Sequence, residues 1–190
     1  MSLQEQQNLL AKLYTDAEFR RAFLSQPEET GAENGLNETE IREIAGMMPE
    51  ELNFFADSLV WKRLREVEKF LPLTRELLQD DFAKYFREFS QTFNPQTVKK
   101  HLADALEFGR FLQDRETISN LAKDAARFER AKLIFAARAK NFVFEKFTFD
   151  IREILKKTAV KKSISEADFR PRKTFAIWLR IGKMTKQYFF

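Results

Sequence analysis

The stretch Asn141-Phe-Val-Phe-Glu-Lys-Phe-Thr-Phe-Asp-Ile151 decides how this chain is read. Phe142-Val143-Phe144, then Phe147, Phe149 and Ile151, alternate with aromatic and β-branched residues in two short runs. That is the period of a strand with one face buried. Working outward from it, the segments upstream keep the period of a helix.

Leu9, Leu10 and Leu13 mark a first helix over residues 3–14. Thr15 with Glu18 reads as a capping box that starts a second, through Phe19, Phe23 and Leu24. Asn37 with Glu40 repeats the device for a short helix ending near Gly46. From Pro49, after Met47-Met48, the positions Leu52, Phe55, Leu59, Val60, Leu64, Val67 and Leu71 keep helical spacing. Pro72 opens a short helix, and Asp81 opens another with Phe82, Tyr85, Phe86 and Phe89 inward. Asn94-Pro95 reads as an N-cap with proline at the first helical position, ahead of Val98, Leu102, Ala105, Leu106 and Phe108. A last helix over residues 118–139 carries Leu121, Ala125, Phe128, Ile134 and Phe135.

Downstream, residues 150–162 read as a basic helix or loop. Thr174–Ile181, Gly182-Lys183 and Met184–Phe190 then form a predicted hairpin. Alternation puts Phe175, Ile177, Leu179 and Ile181 on one uniformly apolar face, expected to pack on the helices. Thr174, Ala176, Trp178 and Arg180 share the other. The fold expected is mainly α (α+β): a helical N-terminal region packed with a small C-terminal antiparallel sheet. The domains expected are 1–140, helical, divisible into a 1–46 module and a 47–140 bundle, and 141–190, the sheet with its basic helix or loop.

Composition closes many routes to chemistry. The chain has 190 residues, 44% of them hydrophobic, with no Cys, one His and five Gly. No Cys means no disulfide, thiolate zinc site or cysteine nucleophile. The glycines are too scattered for a phosphate-cradling loop. His101, with Asp104 and Glu107 on the same predicted helix, lacks the second histidine that a facial triad needs. It reads instead as an ordinary surface pair with Asp104. Asp80-Asp81, and Glu38, Glu40 and Glu43, lie at helix starts, where carboxylates cap free N–H groups and favour the dipole. Glu66 with Glu68 is the remaining candidate pair for acid–base work or magnesium. No residue is assigned a catalytic, cofactor-binding or metal-binding role, and the expectation is a protein that is not an enzyme. No run approaches the roughly 20 apolar residues of a membrane span. The start has no basic region followed by an apolar core, so a cytoplasmic location off the membrane is expected.

Charge is polarised. Residues 1–94 carry 11 basic and 18 acidic side chains, and residues 95–190 carry 22 and 11. The tail interleaves Phe175, Trp178, Tyr188, Phe189 and Phe190 with Arg170, Arg172, Lys173, Arg180, Lys183 and Lys186. Rings beside cations suit single-stranded nucleic acid. Strand alternation, which sends rings to a core and charges to water, produces the same pattern. The candidate partner-binding residues are Trp178, Arg180, Tyr188, Arg170, Arg172 and Lys173, with Trp178 either the floor of a shallow site beside an open strand edge or a semi-buried ring shielded by Arg180 or by the 142–149 strand.

Two stretches carry a family resemblance. Leu9 to Leu24, with Pro27 and Gly35-Leu-Asn-Glu-Thr-Glu40, resembles a small helical module of bacterial proteins. That module also looks like nitrogen-fixation-associated peptide leaders and the small subunit of extradiol ring-opening dioxygenases. Lys62-Arg-Leu-Arg65, Leu71-Pro-Leu-Thr74 and Asp81-Phe-Ala-Lys-Tyr-Phe-Arg-Glu-Phe89 are similar to a bacterial DNA-binding domain family. It includes the helical partner subunits of iron enzymes that modify ribosomal peptides, such as the methanobactin-synthesis partner. The resemblance implies a non-catalytic domain that holds a partner enzyme or precursor peptide. The acidic front half is a poor grip for phosphates. The expected function is therefore a non-enzymatic adaptor for a protein or peptide, the alternative being nucleic-acid binding by the basic tail.

Elemental analysis of purified protein is expected to find no stoichiometric transition metal. One tightly held zinc or iron per chain, lost in His101→Ala, would overturn the reading of His101.

Overall fold

A computed structural model describes residues 3–46, 49–160 and 164–190. Met47-Met48 and the Lys161-Lys162 end of the basic segment lie outside the described residues. The observed class is the expected one, helices followed by a three-stranded antiparallel sheet. The chain forms two compact units, 1–63 and 64–190. The boundary therefore falls inside a helix, α5 (Pro49–Phe70), whereas the sequence suggested junctions at 46/47 and 140/141.

The first unit holds α1 (Leu3–Thr15), α2 (Ala17–Ser25), α3 (Pro27–Glu33) and α4 (Glu38–Ala45), with the first part of α5. Leu9, Leu13, Phe19, Phe23, Leu36, Ile41 and Ile44 make its core. The capping box at Asn37 and Glu40 is present. The one predicted at Thr15 is not: Asp16 caps α2 by accepting from the Glu18 and Phe19 N–H groups, while the Thr15 hydroxyl donates back to the Ala11 carbonyl. A carboxylate one position nearer the helix out-competes the hydroxyl as acceptor.

The second unit holds α6 (Pro72–Leu78), α7 (Asp80–Thr92), α8 (Lys100–Phe111), α9 (Asn120–Ala136), β1 (Phe142–Phe147), α10 (Ile151–Val160), β2 (Thr174–Ile181) and β3 (Met184–Phe189). Phe82, Phe86, Phe89, Phe108 and Phe111 pack ring against ring between α7 and α8, which absorbs part of the phenylalanine excess. Asn94-Pro95 does not start α8, which begins at Lys100; Val98 is fully exposed instead of facing the core. Residues 93–96 form no regular secondary structure. Residues 151–160 of the basic segment are helical.

Strand order is β1-β2-β3, with Val143 opposite Trp178 and Trp178 opposite Gln187. The hairpin turns at Gly182, whose φ of +58° suits a two-residue turn with glycine first. Beneath the sheet lies α9. Ala125, Phe128 and Ala131 pack against Val143, Phe147, Ala176 and Trp178. This reverses the predicted orientation of β2. Thr174, Ala176 and Trp178 are buried, and Phe175, Ile177, Leu179 and Ile181 face away from α9. Ala176 lets the helix approach closely, and Trp178 fills the space beside Phe128 at 5.9 Å between rings.

Trp178, at 3% exposure, belongs to the core, the shielded one of the two accounts that the sequence left open. Trp178→Ala should cost about 3–5 kcal/mol in urea unfolding. Phe142→Ser, at a ring 54% exposed, should cost under about 1 kcal/mol. Equal losses at the two positions would contradict the orientation of the sheet.

Candidate functional site

Two buried carboxylates on α9 set the position of the sheet within the second unit. Asp124 accepts from the Thr148 and Phe149 N–H groups, at 2.6 and 2.9 Å, where the chain leaves β1. Arg127 pairs with Asp124 at 3.1 Å and donates to the Lys146 carbonyl at 2.8 Å. Glu129 accepts from the Leu73 and Thr74 N–H groups and the Thr74 hydroxyl at 2.7–2.9 Å. It therefore caps α6 from across the core. Desolvation pushes Asp124 up to about 6 and Glu129 up to about 7, against hydrogen bonds that pull each down. Both carboxylates are spent on backbone amides, which is structural work. The signal that could have found them was two acidic residues on an otherwise apolar helix stripe.

Arg180 also faces α9. Its guanidinium stacks on Phe135 at 4.3 Å and donates through Nη2 to the Phe135 carbonyl at 2.7 Å, while Nη1 is buried without a partner. A cation at the helix C-terminus complements its dipole. The mixture of ring and charge, read from sequence as a surface, is thus an inner face that ends on a helix terminus.

The outer face of the sheet is different in kind. Phe142 and Phe144 come from β1; Phe175, Ile177, Leu179 and Ile181 come from β2; Met184 and Tyr188 come from β3, with Phe190 beyond it. Across the strands, Phe144, Ile177 and Tyr188 make one row, and Phe142, Leu179 and Lys186 the next. Phe175 lies 5.7 Å from Phe144 and stacks on Phe190 at 4.9 Å. Phe142, Phe144, Phe175, Tyr188 and Phe190 are each at least 38% exposed. Among the residues on this face only Lys146 and Lys186 are charged.

The edges of the sheet also differ. At β1, Arg127 occupies the Lys146 carbonyl. Phe175 and Phe190 exchange both backbone bonds, so by antiparallel alternation Thr185, Gln187 and Phe189 turn their N–H and C=O groups away from β2. An open cleft of about 260 Å³ lies beside that edge, lined by Lys132, Phe135, Trp178, Thr185 and Gln187 among others.

Of the six predicted partner residues, Tyr188 lies on the outer face and Trp178 and Arg180 on the inner one. Arg170, Arg172 and Lys173 are exposed in the segment before β2, with Arg172 at 3.8 Å from Asp150. Sequence reasoning missed Phe142 and Phe144 as surface residues and, by alternation, turned Phe175 toward the helices. His101 is exposed on the first turn of α8 while Asp104 is fully buried, so they are not the ordinary surface pair expected. Among the described residues no group of three His, Asp or Glu side chains could hold a metal ion, and no helix is long and apolar enough to cross a membrane. No protein-family model matches the chain, and no curated protein matches it.

The raised value of Glu129 has a definite sign. A carboxyl that binds its proton more tightly folded than unfolded stabilises the fold below its unfolded value, and that contribution is lost as pH rises through the folded value. Relative to Glu129→Gln, wild-type stability should fall by up to about 3 kcal/mol between pH 4.5 and pH 8, read by urea unfolding. Parallel pH profiles for the two proteins would contradict this.

Proposed function

We propose that this protein is a non-enzymatic adaptor that holds a partner protein or peptide on the outer face of its C-terminal sheet. The observation that carries the reading is that face: an aromatic and aliphatic array, three strands wide, exposed to solvent. A solvated sheet face ordinarily alternates to polar residues, and contiguous exposed apolar surface marks an interaction site. The resemblance to partner subunits of peptide-modifying iron enzymes supports the same reading and suggests an accessory role in the cytoplasm. Neither buried carboxylate is free for chemistry, since both are committed to backbone amides.

A specific observation favours a second reading, nucleic-acid binding. Residues 169–190 carry six basic side chains and no acidic one. Most of those cations lie off the aromatic array, however, so rings and charges are not interleaved on one surface as base stacking needs.

A photo-crosslinking residue placed at Phe144 or Phe175 in producing cells should yield one discrete protein adduct, absent when the same group replaces the exposed Val98. Unrelated oligonucleotides should bind weakly and be released by modest salt. Sequence-selective binding that persists at physiological salt, and is lost in Arg170→Ala/Arg172→Ala/Lys173→Ala, would put the second reading in place of the first.

A further inference from the structure

The sheet is apolar on both faces, with α9 covering one of them. Burying both faces of such a sheet takes three layers, the sheet and a cover on each side of it. The second unit supplies two of those layers.

Resting on the adaptor reading, we propose that the third layer is an amphipathic helix of the partner, its apolar stripe flanked by Asp and Glu. The dimensions fit. Three strands about 4.8 Å apart span about 10 Å, the width of one helix. The eight residues of β2, at about 3.3 Å each, match a helix of about 17 residues. Charge selects the flanks. Lys146 and Lys186 sit toward opposite ends and opposite edges of the array, and no acidic residue shares the face. A helix laid across it with carboxylates on both borders of its stripe meets a lysine on each side. A second copy of this chain, stacked face to face, would instead gather four lysines in one desolvated layer with no carboxylate.

The probe is a synthetic 17-residue helical peptide with leucines at i, i+3, i+4, i+7 and i+11 and glutamates bordering them. It is set against the same peptide with lysines for glutamates, and against one of equal composition with period-2 alternation. Titrated into the full chain and followed by anisotropy, the acidic helix should bind at least tenfold tighter than either control. Phe144→Ser/Phe175→Ser should abolish binding; both positions are exposed, and retained melting behaviour checks the fold. Lys146→Glu/Lys186→Glu should reverse the preference between the acidic and basic peptides. Binding of the period-2 peptide instead, lost in Gln187→Pro, would overturn the helix in favour of strand addition at the free β3 edge. Preference for anionic phosphatidylglycerol vesicles or for oligonucleotides over the acidic helix would overturn it too. A discrete crosslinked partner at Phe144 with no response to the acidic helix sinks this inference while leaving the adaptor reading standing; loss of the crosslink as well removes both.

Discussion

Helix α9 is the constraint on which the second unit depends, because it carries two carboxylates into a core that cannot hydrate them. Asp124 and Glu129 each lose water, and each recovers hydrogen bonds from backbone amides that would otherwise be buried unpaired. One ties α9 to the exit of β1 and the other to the first turn of α6. Removing either carboxylate would strand two N–H donors, at least one of them buried, so the pair fixes the register of α6, α9 and the sheet together.

That arrangement decides what the sheet offers outside. With α9 seated on Val143, Ala176 and Trp178, the alternate residues of every strand must face away. In most sheets those positions are polar. Here they are Phe142, Phe144, Phe175, Ile177, Leu179 and Tyr188. The functional reading thus follows from packing on the opposite side: the helix occupies one apolar face and leaves an equal one in water.

Much of the architecture was legible in sequence because it rests on local chemistry. Prolines at helix starts, the Asn37 and Glu40 capping box, the glycine turn at Gly182 and the change of period near Asn141 each depend on a few neighbouring residues. Local signals failed where two were in competition. Asp16 displaced Thr15 as a cap, and Asn94-Pro95 offered cap residues without a helix to follow. The candidate site was half legible: the open edge, the aromatic tail and Tyr188 were visible, and the β2 residues of the surface were assigned to the core.

The amino-acid sequence by itself determined the mainly helical class, the C-terminal antiparallel sheet and the two alternating residue sets along β2. It could not choose between those sets, because both are rich in apolar residues and hydrophobicity alone ranks the wrong one inward. The choice belongs to tertiary contacts. Ala176 admits α9, Trp178 fits beside Phe128, and Arg180 finds a helix C-terminus at the Phe135 carbonyl. Shape and one long-range hydrogen bond decided against apolar area: a carbonyl and a ring receive the half-buried Arg180, although its Nη1 stays unpaired.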